Sequence, residues 1–365
     1  MTNILINARF LTQPLTGVQR YALELVKAFD KLIDKGEFKG YKFELLAPPY
    51  KHLHKLELKN IGLRRVGFSS GYVWEQFELP FYAKKGLLFC PGNVAPLISL
   101  FSGQKVVVTV HSLSYHYFPE AYRLLFKLAN RVIIPSVFKK ADAVITVSQS
   151  ERGSILTYYS GVKDRLFVVQ HGTFSCKRQD GKASRYNSET VPSVLYVGSL
   201  SKGKNLDGVL NAARLLNKKG KVKFIIVGAY EKIFSHTEHD FAAAYVDFKG
   251  QINDTEELAK LYKVASCFVF PSFYESFGFP VLEAMSCGCP VVTSHTGSLP
   301  EICGDAALYC NPYDPCDIAE KIMQVLSDKA LQKGLQQKGF NQARKFSWER
   351  CARETLAVIE KMLSG

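Results

Sequence analysis

Two acidic residues, Glu275 and Glu283, flank a short turn that follows an apolar run. The residues that come directly after Glu275, Ser276-Phe277-Gly278-Phe279, precede a proline suited to the first turn of a helix. The turn therefore presents backbone N–H groups at a helix N-terminus, where they can bind phosphate oxygens, while carboxylates accept hydrogen bonds from sugar diols. The pattern predicts a ligand with both phosphates and hydroxyls. The alternative is that Glu283 stabilises the helix dipole and Glu275 caps the loop.

A glycine- and lysine-rich loop, Gly198-Ser-Leu-Ser-Lys-Gly-Lys-Asn205, follows a second apolar run and opens another helix. It nearly matches a Walker A loop, but Asn205 stands where that loop needs a serine or threonine to hold Mg²⁺, which disfavours a P-loop ATPase. The glycines, the helix N-terminus and the charge of Lys204 still suit a phosphate. The alternative is a strand-to-helix turn with two solvated lysines.

Two other loops that follow apolar runs carry weaker signals. His111 ends a run and is placed to contact a phosphate or substrate, although a single histidine is more often structural. Gly17 lies in a turn that opens the first helix, where the missing side chain would let a phosphate approach.

A basic segment covers residues 122–141, in which Arg123, Lys127 and Arg131 recur every four residues among apolar ones. This spacing predicts a helix with a basic edge. Such a helix either lies on an anionic membrane surface or covers the sheet with its basic edge in solvent, and the pattern leaves both open.

The elements that position these loops are short apolar runs alternating with amphipathic helical runs, in two series. The strands predicted for the first series are residues 4–8, 42–47, 87–90, 106–111, 143–148 and 167–171. Those of the second are residues 193–198, 223–228, 246–250, 267–271, 290–295 and 307–311. Helices are predicted over residues 17–32, 205–216, 254–265, 314–326 and 347–363. Repeated strand–helix alternation predicts two doubly wound α/β domains with ligands beyond the carboxyl ends of the strands.

Composition limits the class of protein. The 365 residues are 47% hydrophobic and 22% charged, which excludes a disordered or collagen-like chain. No apolar stretch is long enough for a membrane span, and the N-terminus does not resemble a signal peptide. The nine cysteines form no CxxC pair, which disfavours a zinc site. The cysteine pattern also agrees with a reducing compartment, so we expect the protein to be cytoplasmic. The net charge of +14 lies mostly in residues 1–170, with 23 Lys and Arg against 12 Asp and Glu, and indicates an anionic partner.

The motifs together resemble those of retaining glycosyltransferases of family 4, which have the GT-B fold. The most specific match is the pair of glutamates with seven intervening residues, Glu275 and Glu283. Supporting matches are the loop 198–206 and the segments 298–308, 143–148, 106–111 and 346–350. The resemblance implies an N-terminal acceptor-binding domain over residues 1–175 and a donor-binding domain over residues 190–346, facing a central cleft. It also implies that the final helix, residues 347–365, packs back on the first domain.

The resemblance also implies roles for the matching residues. Lys204 would hold the donor diphosphate, Glu283 the nucleotide ribose, and Glu275 the donor sugar, with His111 near the sugar and phosphate. The full set implied for donor binding is Gly17, Gly198, Ser199, Lys202, Lys204, Glu275, Ser276, Phe277, Gly278, Phe279, Leu282 and Glu283, with His111, Lys204 and Glu275 catalytic. No metal or other cofactor is expected. The chain departs from many relatives at Ser199 and Gly203, where a basic residue is common, and at Ser112, where aspartate is common.

The predicted activity is retaining transfer of a hexose, with mannose or a deoxyhexose favoured, from a nucleoside-diphosphate sugar. The acceptor would be a glycan or a lipid-linked glycan in bacterial surface polysaccharide synthesis, with the enzyme cytoplasmic and peripheral at the inner membrane face. One rival is a GT-B sugar-nucleotide epimerase, which uses no acceptor. A second is a non-catalytic nucleotide or nucleic-acid binder, disfavoured because the basic residues form no recognisable RNA-binding module. A dinucleotide-dependent oxidoreductase is disfavoured because no GxGxxG follows a strand.

Overall fold

The computed structural model describes residues 2–51, 53–119, 124–174, 176, 191–218, 222–229 and 243–364. The chain divides into two compact units. Unit 1 comprises Met1–Leu113, Leu125–Gly172 and Ser347–Gly365, and unit 2 comprises Ser114–Leu124 and Thr173–Phe346.

Unit 1 is built on a seven-stranded parallel sheet with the order β3-β2-β1-β4-β5-β6-β7. Its strands are β1 Thr2–Asn7, β2 Tyr41–Ala47, β3 Gly62–Arg65, β4 Leu87–Cys90, β5 Val106–Thr109, β6 Ala143–Thr146 and β7 Leu166–Val168. β4, β5 and β6 are buried along their whole length, as strands covered by helices on both faces must be.

The helices of unit 1 are α1 Gly17–Asp34, α2 Gly71–Val73, α3 Leu79–Ala83, α4 Leu97–Phe101, α6 Leu124–Lys140, α7 Gln149–Tyr158 and α14 Trp348–Ser364. A π-helical turn, Trp74–Glu78, joins α2 to α3. The C-terminal helix α14 packs against α1. Two ion pairs accompany this contact: Lys31 with Glu349, and Arg353 with both carboxylate oxygens of Glu37 at 2.8 Å.

Unit 2 contains a six-stranded parallel sheet with the order β10-β9-β8-β11-β12-β13. Its strands are β8 Ser193–Val197, β9 Lys223–Val227, β10 Val246–Gly250, β11 Cys267–Phe270, β12 Val291–Ser294 and β13 Ala307–Cys310. Its helices are α5 Ser114–Tyr117, α8 Leu206–Asn217, α9 Thr255–Val264, α10 Phe279–Ser286, α11 Leu299–Cys303, α12 Pro315–Ser327 and α13 Lys329–Ala343.

All twelve predicted strands are present, with ends shifted by a few residues. The strand missing from the prediction is β3, an edge strand whose four residues are all exposed and which therefore lacks an apolar signal. Residues 114–124 belong to unit 2, whereas the sequence assigns them to the N-terminal domain. Most of the predicted linker, residues 175–192, lies outside the described residues.

Candidate active site

The loop after β8 is held close to the end of the neighbouring strand β9. A Cβ added to Gly228 would lie 1.9 Å from the carbonyl oxygen of Gly198, so this approach requires glycine at residue 228. The Tyr196 hydroxyl donates to the carbonyl of Ser199 at 3.1 Å, and the hydroxyls of Ser199 and Ser201 are 3.0 Å apart. The loop predicted to bind phosphate is therefore ordered by its own side chains and by β9.

Asn205 anchors the end of this loop. Its backbone is left-handed, with φ 55°, and its side-chain oxygen caps α8 by accepting from Gly208 N–H at 3.2 Å. Its amide nitrogen donates to the carbonyls of Pro271 at 2.9 Å and Pro312 at 2.7 Å. The residue is thus committed to holding the loop against the end of β11, which explains why asparagine replaces a Mg²⁺-binding hydroxyl residue.

Lys204 and Glu275 form an ion pair at the carboxyl ends of β8 and β11, which are neighbours in the sheet. Lys204 Nζ lies 2.5 Å from Glu275 Oε2, and the two side chains retain 26% and 13% of their exposure. The ammonium also lies 5.7 Å from the centre of the Phe270 ring. The structure therefore brings together two of the three predicted catalytic residues, although 71 positions separate them in the chain.

The main chain around Glu275 is fixed by the loop after β12. The carbonyl of Glu275 accepts from Ser298 N–H at 2.8 Å. Gly297, with φ +58°, packs so closely that an added Cβ would lie 2.3 Å from that carbonyl oxygen. Gly278 has φ +95° and forms the N-cap of α10, with a proline in the first turn as predicted. The turn after Glu275 consequently leads into a helix N-terminus.

Most side chains of this predicted donor-binding turn face the core. Phe277 is 3% exposed and makes edge-on contacts with the rings of Phe279 and Phe346, and Leu282 is fully buried. Ser276 is also buried. The side chains of Phe277 and Leu282 pack in the interior of unit 2, so these residues can reach a ligand only through their backbone. Gly198 and Ser199 are partly exposed, and Lys202 is exposed.

Glu283 lies inside α10, with only 2% of its surface exposed. Tyr262 on α9 donates its hydroxyl to Glu283 Oε2 at 3.0 Å. The sequence does not identify Tyr262, because at its position in α9 an apolar period predicts only a core residue. The hydrogen bond orients the carboxylate for which the family resemblance implies a role in binding the ribose.

Aromatic residues that the sequence does not identify lie beside the loop. The ring of Tyr117, on α5, stacks on that of Tyr274 with centres 4.6 Å apart. A Cβ at Gly203 would lie 3.7 Å from Phe118. These contacts join residues 114–119 to unit 2, and they place aromatic rings next to the residues that neighbour Lys204 and Glu275 in the chain.

The two remaining residues predicted for catalysis or donor binding lie in unit 1. Gly17 is the first residue of α1, after the extended N-cap Thr16. His111 is 7% exposed, and its Nε2 lies 2.7 Å from the carbonyl oxygen of Pro91. Because a carbonyl can only accept, Nε2 carries the hydrogen and donates it. Burial lowers the pKa of His111 to about 4, against a smaller opposing effect of the Pro91 hydrogen bond, so the imidazole is neutral at pH 7.

The predicted basic helix corresponds to α6. Arg123 lies outside the described residues, Lys127 lies within α6, and Arg131 is exposed on it. No helix in the described part of the chain has the length and apolar character needed to cross a bilayer. Among those same residues, no group of three or more His, Cys, Asp and Glu side chains could hold a metal ion.

Comparison with known proteins gives two family matches that together cover most of the chain. Residues 15–173 match Glycosyltransferase Family 4, and residues 178–342 match Glycosyl transferases group 1. The chain is 30% identical over 376 residues to O-antigen chain mannosyltransferase B of Escherichia coli, covering 94% of this chain and 95% of the relative.

Two solved structures share the fold along the entire chain. Sucrose-phosphate synthase from Thermosynechococcus elongatus has a TM-score of 0.74 at 21% identity, with full coverage of both chains. The Anabaena protein HepE in complex with UDP-glucose has a TM-score of 0.73 at 16% identity, again with full coverage of both chains. The two parallel-sheet units are therefore those of the GT-B fold, and the chain belongs to the family 4 glycosyltransferases.

Proposed function

We propose that this glycosyltransferase moves a hexose, mannose or a deoxyhexose, from a nucleoside-diphosphate sugar with retention of anomeric configuration. The acceptor is a glycan or lipid-linked glycan of a bacterial surface polysaccharide. The observation that carries the proposal is the ion pair of Lys204 and Glu275 beside the N-terminus of α10. The similarity to O-antigen chain mannosyltransferase B supports mannose and this class of acceptor, and the UDP-glucose complex of HepE supports a nucleotide-sugar donor.

In this proposal, positively charged and N–H groups bind the diphosphate, and carboxylates bind the sugar and ribose hydroxyls. Negative charge develops on the diphosphate as the glycosidic bond breaks, and Lys204 together with the main-chain N–H groups before α10 stabilises it. Glu275 accepts hydrogen bonds from the sugar hydroxyls, and Glu283, oriented by Tyr262, binds the ribose. The departing phosphate oxygen takes the proton of the acceptor hydroxyl on the same face. His111 donates through Nε2 to Pro91 and is neutral, so its role is to position rather than to supply a cation.

With these groups in place, stabilising the departing diphosphate requires no metal ion. Lys204 and a helix N-terminus provide positive potential where a metal would otherwise bind the diphosphate. Turnover is therefore expected to be unchanged by EDTA and by added Mg²⁺ or Mn²⁺. A tenfold or greater loss on chelation, restored by one of these ions, would contradict this part of the proposal.

We also propose that unit 1 binds the inner face of the membrane. Phe77, Phe81 and Phe101 are each more than 60% exposed, and Lys84 and Lys140 lie over the rings of Phe81 and Phe101. The side chain of Gln76 bonds Ala95 and Leu97, which places the π-helical turn beside α4. Exposed aromatic rings with lysines suit an anionic bilayer surface. Co-sedimentation with vesicles containing phosphatidylglycerol, compared with neutral vesicles, tests this.

The test of the reaction combines donor and acceptor. Purified protein is incubated with a panel of nucleoside-diphosphate hexoses and deoxyhexoses, with and without a polyprenyl-diphosphate-linked glycan, and proton NMR follows the anomeric signals. The proposal predicts donor consumption that depends on the acceptor and a first-formed product with the donor's anomeric configuration. An inverted product refutes retention. Donor consumption without acceptor, giving an isomeric nucleotide sugar, would instead establish an epimerase.

A further inference from the structure

Two of the nine cysteines lie together in unit 2, and neither has a role in the proposed reaction. Cys287 caps the C-terminal end of α10, and Cys176 follows the point at which the chain enters unit 2. The Cys287 thiol donates to the Cys176 sulfur at 2.6 Å, although the two residues are 111 positions apart. All nine cysteines are free thiols.

The residues just before Cys176 are held in place by two contacts. Thr173 N–H donates to the Phe346 carbonyl at 3.4 Å, and the Phe174 ring contacts that of Tyr262 with centres 6.4 Å apart. Cys176 and Cys287 are partly exposed, whereas six other cysteines are buried. The remaining one, Cys316, is exposed. The pair is thus both preorganised and accessible to small molecules in solution.

The surroundings make the two thiols chemically different. The hydrogen bond from Cys287 lowers the pKa of Cys176 to about 7, and the Lys263 ammonium contributes in the same direction against the opposing effect of burial. The pKa of Cys287 is raised, first because its thiol donates this hydrogen bond and then because of burial. At neutral pH Cys176 is therefore substantially thiolate, the nucleophilic form, and Cys287 holds its proton.

We propose that Cys176 and Cys287 form a dithiol modification site that reacts with hydroperoxides to give an intramolecular disulfide. The Cys176 thiolate attacks the peroxide, so that an S–O bond forms, the O–O bond breaks, and the leaving oxygen takes up the proton released by Cys176. The Cys287 thiol then attacks the sulfenic sulfur, forming the S–S bond while the S–O bond breaks, and the hydroxyl leaves as water with the proton of Cys287. The thiols lose two electrons and the hydroperoxide gains them.

The bond needs little movement of the chain. The sulfur atoms must approach from 2.6 Å to about 2.05 Å, the length of a disulfide bond. The resulting loop encloses Lys204, Glu275 and Glu283, so oxidation ties the entry segment of unit 2 to the helix that carries Glu283. Closing so long a loop restricts the unfolded chain, and the melting temperature of the oxidised protein should rise by several degrees.

The experiment treats the reduced full-length chain with hydrogen peroxide, alkylates the remaining thiols, and measures intact and peptide masses. We expect two fewer alkylated thiols, a cross-linked peptide joining Cys176 to Cys287, and full reversal by dithiothreitol. Cys287→Ser should stop at a sulfenic acid on Cys176 that dimedone traps, and Cys176→Ser should leave Cys287 reduced. Cys316→Ser is the matched control and should behave as the parent.

Three results would overturn the site: oxidation confined to Cys316, disulfides only between chains, or no dimedone adduct at Cys176 in the Cys287→Ser variant. Because the readout is mass, the outcome does not depend on the donor, the acceptor or the proposed transfer reaction.

Discussion

Replacing Lys204 with methionine removes the cation of the candidate site while keeping much of the side-chain volume. In the structure this ammonium lies 2.5 Å from Glu275 Oε2, and the Glu275 side chain is only 13% exposed. The substitution therefore has two effects on a nucleoside diphosphate. It deletes the positive charge that attracts the diphosphate, and it leaves a poorly solvated carboxylate that repels it.

The size of each effect follows from the geometry. Two unit charges about 4 Å apart interact by about 4 kcal/mol at an effective dielectric constant of about 20, and partial exposure reduces this further. We expect Lys204→Met to raise the Kd for a nucleoside diphosphate about 100-fold, or about 2.7 kcal/mol. In Lys204→Met/Glu275→Gln the repulsion is gone, so Kd should rise only about tenfold over the parent, about 1.4 kcal/mol less than for Lys204→Met alone. Glu275→Gln alone should lower the Kd by up to about tenfold, because it removes a carboxylate that repels the diphosphate and leaves the Lys204 ammonium in place.

Isothermal titration with GDP and UDP measures these affinities for the parent and the three variants. Lys338→Met is the matched control, since it breaks a lysine–carboxylate pair with Asp305 at 2.9 Å on the exposed surface of unit 2. That variant should bind as the parent does. The reasoning is refuted if Lys204→Met stays within threefold of the parent, or if the double variant binds no better than Lys204→Met.

Asn205→Ala should lower the free energy of unfolding measured in urea by about 2–4 kcal/mol, because the buried carbonyls of Pro271 and Pro312 lose their donor. Tyr262→Phe should weaken GDP or UDP binding about three- to tenfold through Glu283, with the affinity of a diphosphate lacking ribose unchanged; equal weakening of both would contradict the ribose role. His111 has its pKa lowered from 6.5 to about 4 in the fold, so the unfolded chain binds its proton more readily. His111 should therefore contribute a fall in stability of about 3 kcal/mol as pH drops from about 6.5 to 4. In a denaturation profile recorded between pH 7.5 and 4, His111→Gln should reduce the fall by that amount, and the part due to His171, whose pKa burial also lowers, should remain.

The sequence predicts the fold well because its strands are buried on both faces. Runs such as β5 and β11 consist almost entirely of apolar residues and are buried throughout, which distinguishes them from loops. β3 carries no such signal, since an exposed edge strand needs no apolar face. Residues 114–124 join unit 2 through ring contacts such as that of Tyr117 with Tyr274, and contacts between residues distant in the chain have no local pattern.

The sequence predicts which residues form the site, but it does not predict how their side chains are paired. The motifs and the family resemblance predict that Lys204 and Glu275 are binding groups, yet only the fold shows that they form an ion pair with 2.5 Å between Nζ and Oε2. The same is true of Asn205. The sequence shows only that this residue lacks the hydroxyl needed to hold Mg²⁺. Its three hydrogen bonds to Gly208, Pro271 and Pro312 depend on tertiary structure.

The strand order explains why these residues meet. In unit 2 the chain adds β9 and β10 on one side of β8 and then β11 to β13 on the other, so the loops after β8 and β11 diverge and leave a crevice between them. Lys204 lies in the first loop and Glu275 in the second. In unit 1 the corresponding point lies between β1 and β4, where Gly17 follows β1 and Pro91, the partner of His111, follows β4. Gly17, Lys204 and Glu275 thus lie in loops at the switch points of their sheets, whereas His111 follows β5 and is linked to the switch point of unit 1 by its hydrogen bond to Pro91.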